Sequence, residues 1–267
     1  MGIRDILVHL DNSTASPARL DAAIAYARKH GARLRGLYLI THDYYEPSTI
    51  GEKNDRENIE QMFTDKTSKA GIISEWVFQD CKTMGSNVSD LITMYAYFTD
   101  LLIIGQVNYS APVLNIPTDI VERVIVTCGR PVMVIPHSGT FNSAGDRVMI
   151  AWKGGRESIR AVNDALPHLQ KAQTVVIIEG KKTNDTYDAT IESVKSFLLK
   201  HEVDATIDVI ISGNFPIGDM LLNNVCEKNI DLLVMGAFAP NRRGKLELSP
   251  VAHHVLKHLT APVLMSH

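Results

Sequence analysis

Short, unbroken apolar runs alternate along this chain with longer stretches in which apolar residues recur every third or fourth position. Ile6-Leu7-Val8-His9-Leu10 is the first run, and it predicts a strand. Residues 19–29 follow, placing Leu20, Ala23, Ile24 and Ala27 on one helical face, with Gly31 to close the helix. Residues 34–40 predict a second strand, and a long loop and a helix lead to a third at 72–78. A helix over 87–98, a strand at 101–104, a helix over 118–128 and a strand at 132–135 complete the series. The same order then returns. Strands at 148–152, 174–179, 206–211, 232–235 and 263–265 alternate with helices over 157–169, 187–201, 217–227 and 251–259. Strands that are apolar throughout need cover on both faces, and intervening helices supply it, so the pattern predicts α/β units built on parallel sheets. Ligands of such sheets bind outside the carboxyl ends of the strands, where the strand order reverses. Candidate residues are therefore sought just after Leu10, Leu39 and Gly105, and after Trp152, Ile178 and Gly236.

The return is a duplication. Asp100-Leu101-Leu102-Ile103-Ile104-Gly105 reappears 131 positions later as Asp231-Leu232-Leu233-Val234-Met235-Gly236. At the same offset of 131, Arg130-Pro131-Val132-Met133-Val134-Ile135 reappears as Ala261-Pro262-Val263-Leu264-Met265-Ser266. The opening strands, Asp5-Ile6-Leu7-Val8-His9-Leu10 and Arg147-Val148-Met149-Ile150-Ala151-Trp152, match at an offset of 142. The difference places an insertion in the first half, and the polar stretch 41–58 is where we expect it. The Gly/Ser/Asn-rich stretch after Pro136 reads as a linker. The chain thus divides into a first domain at 1–137, a linker at 138–146 and a second domain at 147–267.

Composition narrows the function. A hydrophobic share of 45% with 21% charged residues is that of a folded globular chain of 267 residues. The net charge is −3, from 13 basic against 16 acidic side chains up to residue 138 and 14 against 14 beyond. Neither half is a basic module, so no nucleic-acid or membrane partner is expected. No run of 18 apolar residues occurs, and the N-terminus enters a strand without the layout of a signal peptide. Cys81, Cys128 and Cys226 are scattered and odd in number, which points to reduced thiols and a cytoplasmic location.

At these residues the sequence resembles the universal stress protein family in its tandem two-domain form. The second half carries most of the likeness, in Ile150-Ala151-Trp152-Lys153-Gly154-Gly155-Arg156-Glu157-Ser158, in the 231–236 strand and in the closing Ala261-Pro262-Val263-Leu264-Met265-Ser266-His267. The resemblance implies two tandem five-stranded parallel-sheet domains of the Rossmann-like, adenine-nucleotide-binding superfold. It also implies a pseudo-dimer through the last strands of the two halves, which leaves room for a further homodimer. Many members bind ATP through an acid after the first strand and a loop of pattern G-x2-G-x9-G-[ST] after the fourth, whereas others bind no nucleotide. ATP or another adenine nucleotide is therefore the implied ligand.

The loop is degenerate in both halves. Glycines let backbone approach phosphates, and a helix N-terminus supplies N–H donors. In the first half Gly105 fits, Asn108 stands for the second glycine, and Thr118-Asp119 stand at the end, with Asp119 adding negative charge. In the second half Gly236 fits, Ala239 stands for the second glycine, and Ser249-Pro250 end the pattern, with Pro250 lacking an N–H. After the first strand, Asp11-Asn12 match the acidic position in one half and Lys153-Gly154-Gly155 replace it in the other. Lys153, Arg242, Arg243 and Ser249 form a candidate phosphate grip in the second half, although Arg242, Arg243 and Lys245 also read as a solvated charge cluster. The Lys153-Gly154-Gly155 turn resembles in part the Ser-Gly-Gly loop of PP-loop pyrophosphatases, with a tight strand-to-helix turn as the plainer reading.

Other residues read first as structure. His254 and His258 have the i, i+4 spacing of zinc ligands, yet no glutamate accompanies them, so a helix surface is expected and no metal site. Trp152 reads as a packed aromatic ahead of a base-stacking one. Glu179 reads as a solvated strand end ahead of an acceptor for a ligand hydroxyl. Tyr44 and Tyr45 mark the 41–58 insertion as a surface segment or a lid over the first site. No Gly-x-Ser-x-Gly elbow occurs, and no catalytic residues are assigned. Three functions follow in order: a cytoplasmic stress-response sensor that binds an adenine nucleotide, a nucleotide-free scaffold for protein partners, and a slow ATP hydrolase or PP-loop-like enzyme.

Overall fold

In the computed structural model of the chain, residues 2–41, 50–112, 116–143, 145–181, 190–211, 215–240 and 246–266 are described. They form two units, Met1–Asn142 and Ser143–His267. The first runs β1 (Asp5–Leu10), α1 (Ser16–His30), β2 (Arg33–Ile40), α2 (Ile50–Ala70), β3 (Ser74–Asp80), α3 (Cys81–Met84), α4 (Val88–Ala96), β4 (Leu101–Gly105), α5 (Ile120–Thr127) and β5 (Val132–Ile135). Its strands lie in the order β3-β2-β1-β4-β5, all parallel. The second runs β6 (Arg147–Trp152), α6 (Gly155–Leu169), β7 (Thr174–Lys181), α7 (Thr190–Lys200), β8 (Thr206–Ile211), α8 (Ile217–Glu227), β9 (Leu232–Gly236), β10 (Phe238–Pro240), β11 (Leu246–Leu248), α9 (Pro250–His258) and β12 (Val263–Ser266). Its parallel strands lie in the equivalent order β8-β7-β6-β9-β12. In each unit the order reverses beside the first strand, between β1 and β4 and between β6 and β9.

The apolar runs explain these orders. Ile6, Leu7, Val8 and Leu10 of β1 and Leu101 to Ile103 of β4 are fully buried, because helices cover the sheet on both sides. Burial of each such side chain contributes about 1.5–3 kcal/mol, so the central strands carry much of the unit's stability. In α1 the expected stripe of Leu20, Ala23, Ile24 and Ala27 is buried, and Gly31 closes the helix by donating to the carbonyls of Ala27 and Arg28.

Three elements differ from the sequence expectation. The third strand sits two residues later than 72–78, leaving Ile73 76% exposed: at the sheet edge, pairing with β2 from Leu34↔Ser74 onward outweighs the apolar run. The 41–58 insertion is not a loop throughout, because α2 begins at Ile50; Tyr44 and Tyr45 lie outside the described residues. After β9 the chain does not remain a loop but forms an antiparallel hairpin, β10 against β11, from Phe238↔Leu248 to Pro240↔Leu246.

The hairpin leads into α9 through a cap. The Ser249 hydroxyl accepts from the Ala252 N–H at 3.1 Å, and Pro250 occupies the first turn. Ser249→Ala is expected to lower stability by about 1 kcal/mol, measured by urea unfolding, since the cap satisfies an otherwise orphaned donor. A serine held for phosphate instead would lose ligand affinity on substitution and leave stability unchanged.

Candidate functional site

The candidate site lies at the carboxyl ends of β1 and β4, where the strand order of the first unit reverses. It is a cleft of about 580 Å³. Asp11, Asn12, Gly105, Asn108 and Thr118, five of the residues singled out above, all line it, as do Arg19, Tyr38, Asp55, Gln106, His137 and Ala111. The five come from two loops, one after β1 and one between β4 and α5, which the parallel sheet brings to the same rim. Apolar surface comes from Leu39, Ile104, Val107, Pro112, Ile116 and Ile120. The mixture of an apolar wall and a few converging polar groups is that of a small-molecule pocket, and the volume falls within the usual range.

The inner wall is a buried polar cluster. Arg19 Nη1 donates to Asp11 Oδ2 at 3.0 Å and to the His9 carbonyl at 2.7 Å, and Nη2 reaches Ser13 Oγ at 3.3 Å. Asp11 Oδ1 accepts from the Ser13 N–H at 3.0 Å and the Ser16 hydroxyl at 2.9 Å. Arg19 is 3% exposed and Asp11 13%. Burial pushes the Asp11 carboxyl up, but the Arg19 guanidinium, the His9 imidazole and a hydrogen bond from Ser13 together outweigh it and hold the carboxyl well below the usual carboxylate range. Burial pushes the His9 imidazole down to about 4; Asp11 opposes that shift and Arg19 adds to it.

Arg19 also explains Gly105. A Cβ at residue 105 would lie 2.5 Å from the Arg19 Cζ, so the glycine makes room for a guanidinium. Sequence reasoning took Arg19 only as a helix start. The signal was its spacing: Arg19, Ala23 and Tyr26 fall at i, i+4 and i+7 on the buried face of α1.

Outer groups are arranged around the mouth. The Tyr38 hydroxyl donates to Asn12 Oδ1 at 2.9 Å, and Asn12 Nδ2 donates to Asp55 Oδ2 at 3.2 Å. Asn108 folds its own loop, its Oδ1 accepting from the N–H groups of Ser110 and Ala111 at 3.0 and 3.3 Å. Thr118 is exposed at the entry to α5. The negative charge expected from Asp119 is largely spent elsewhere: its carboxylate takes Arg123 Nε at 2.6 Å.

No protein-family model matches the sequence, and no curated protein does. Solved structures do. A universal stress protein from Archaeoglobus fulgidus DSM 4304 superposes with a TM-score of 0.75 at 18% identity, covering 98% of this chain and 97% of its own. A universal stress protein assignment also attaches to a structure from Pseudomonas aeruginosa UCBPP-PA14, which covers 99% of this chain and 93% of its own with a TM-score of 0.64 at 16% identity. The chain has the universal stress protein fold, in tandem.

The second copy of the universal stress protein fold uses the matching positions differently. Only Lys153 and Gly154 connect β6 to α6, where residues 11–15 connect β1 to α1. The short connection presses the first turn of α6 onto the end of β9, so a Cβ at Gly236 would lie 2.8 Å from the Glu157 carbonyl carbon. Gly236 therefore serves helix–strand packing. Gly154, with φ +76° and ψ 177°, occupies backbone space that favours glycine and makes the tight turn. Lys153 is exposed beside it, Ala239 pairs with Glu247 in the hairpin, and Ser249 caps α9. Arg242, Arg243 and Lys245 lie outside the described residues.

Glu179 is not a solvated strand end. It is 5% exposed, with Lys181 Nζ 3.3 Å from its Oε1, because residues two apart on β7 point to the same face. Trp152 is buried and donates from Nε1 to Thr190 Oγ1 at 3.2 Å, which is the packed role. His254 lies 2.7 Å from Asp219, and its ring is tilted 45° to that of His258 with centroids 4.7 Å apart. Among the described residues no group of three His, Cys, Asp or Glu side chains could hold a metal ion, and no helix is long and apolar enough to cross a membrane.

Proposed function

We propose that the chain is a non-catalytic universal stress protein that binds one adenine nucleotide, in the cleft of the first unit. The observation that carries this reading is the convergence of Asp11, Asn12, Gly105, Asn108 and Thr118 on one cleft at the point of strand reversal. An apolar wall from Ile104, Val107 and Ile120 suits a planar base, and Thr118, exposed just ahead of α5, suits a phosphate. In the second unit Gly236 serves packing and Ser249 caps a helix, which supports a single site per chain. Among the described lining residues, Asp11 and Asp55 stand against Arg19 as the one Lys or Arg, so a triphosphate meets more repulsion than a monophosphate.

Isothermal titration with AMP, ADP and ATP, with and without Mg²⁺, tests the proposal. One equivalent per chain and an affinity for AMP at least equal to that for ATP are expected. Ala111→Trp, which puts an indole into the cleft from an exposed position, should weaken binding about tenfold or more. Absence of binding at millimolar nucleotide, or two equivalents per chain, would overturn the reading.

A further inference from the structure

We propose that Arg19 sets the sugar specificity of the first-unit cleft: by engaging both oxygens of Asp11 it makes the site nearly indifferent to ribose hydroxyls. The inference rests on the nucleotide reading above and goes beyond it. A carboxylate recognises a ribose by accepting hydrogen bonds from its hydroxyls, which requires free lone pairs facing the ligand. Asp11 offers few. Its Oδ1 accepts from the Ser13 N–H and, at 3.4 Å, from Arg19 Nη2, and it shares the Ser16 hydroxyl proton with the Asp11 carbonyl, while its Oδ2 accepts from Arg19 Nη1.

Arg19 cannot easily leave. Its guanidinium is pinned by the His9 carbonyl, by Asp11 and by Ser13 Oγ, and it fills the space that the missing Cβ of Gly105 leaves open. Its Nε is buried without a hydrogen-bond partner, as is His9 Nδ1 beside it. A buried donor left unmade costs free energy, so the side chain holds this place for the pairing with Asp11 and not because the surroundings satisfy every atom. The ligand's sugar therefore meets the edge of a closed ion pair instead of a carboxylate. Asp55 is the other acid among the described lining residues; it stands exposed on α2 and takes Asn12 Nδ2.

The test compares AMP with 2′,3′-dideoxy-AMP, which lacks both hydroxyls, by titration of the full chain. In the native protein the two should bind within about twofold of each other. Arg19→Met keeps an unbranched stem, removes the guanidinium and frees acceptor sites on Asp11. In this variant AMP should tighten about tenfold while the dideoxy compound stays unchanged. Arg19→Lys, which holds a carboxylate through a point charge and not a fork, should fall between. A native preference for AMP of tenfold or more overturns the inference without any variant, and loss of that preference in Asp55→Ala would assign the hydroxyls to Asp55. A folded Arg19→Met with the native ratio overturns it too. Failure of every nucleotide to bind would instead strike the reading beneath it.

Discussion

Lowering the pH from 7.5 to 4 is expected to cost this protein about 3 kcal/mol of stability through His9 alone. The residue sits in β1, 2% exposed, and its pKa is pushed from 6.5 down to about 4, chiefly by burial. An unfolded chain takes up the proton near pH 6.5, whereas the folded one refuses it until about pH 4. Stability is therefore full above the unfolded value and falls as the pH drops through the window between the two. Asp11 extends the loss to lower pH by the same sign, since its folded pKa is depressed and its contribution disappears as the unfolded carboxyl protonates. Urea unfolding at half-unit steps of pH measures the slope. His9→Leu should flatten it between pH 6.5 and 4 and leave the lower limb in place; an unchanged slope in that variant would refute the assignment.

Gly236→Ala is expected to destabilise the second unit by about 2–3 kcal/mol while AMP binding stays as in the native protein. The added methyl would stand 2.8 Å from the Glu157 carbonyl carbon and 3.0 Å from both its oxygen and its Cβ. These are atoms of the first turn of α6, which cannot swing aside as a side-chain tip can. The helix must shift off β9, and the cost is paid in packing. Urea unfolding together with AMP titration separates the two roles this glycine could have. A drop in affinity with stability intact would return Gly236 to a phosphate loop and refute the packing role.

Much of the architecture was legible in the residues. The continuous apolar runs at Ile6–Leu10 and 101–104 predicted buried parallel strands, because only a sheet covered on both faces buries every side chain of a run. The matches at offsets of 131 and 142 predicted two units and an insertion within the first, at 41–58, which overlaps the start of α2. Strand-end logic also placed Asp11, Asn12, Gly105, Asn108 and Thr118 at one rim, and they line one cleft, since parallel strands end at one rim whatever their loops contain.

What the sequence by itself determined, then, is the order of the ten sheet strands and the helices between them, and the rim at which the loops after β1 and β4 meet. Apolar periodicity is local, and it survives any detail of packing. Which rim positions open into the cleft was decided only by tertiary structure. Arg19 lies eight residues after Asp11 in the chain, and only the fold turns its guanidinium under Gly105 and against that carboxylate. A connection three residues shorter places α6 against Gly236, pairing across a hairpin removes Ala239 from a loop, and the face of β7 buries Glu179 beside Lys181. Each of these depends on where a long side chain or a helix end travels through space, and space around a strand end is filled by whichever neighbour the loop lengths allow to reach it.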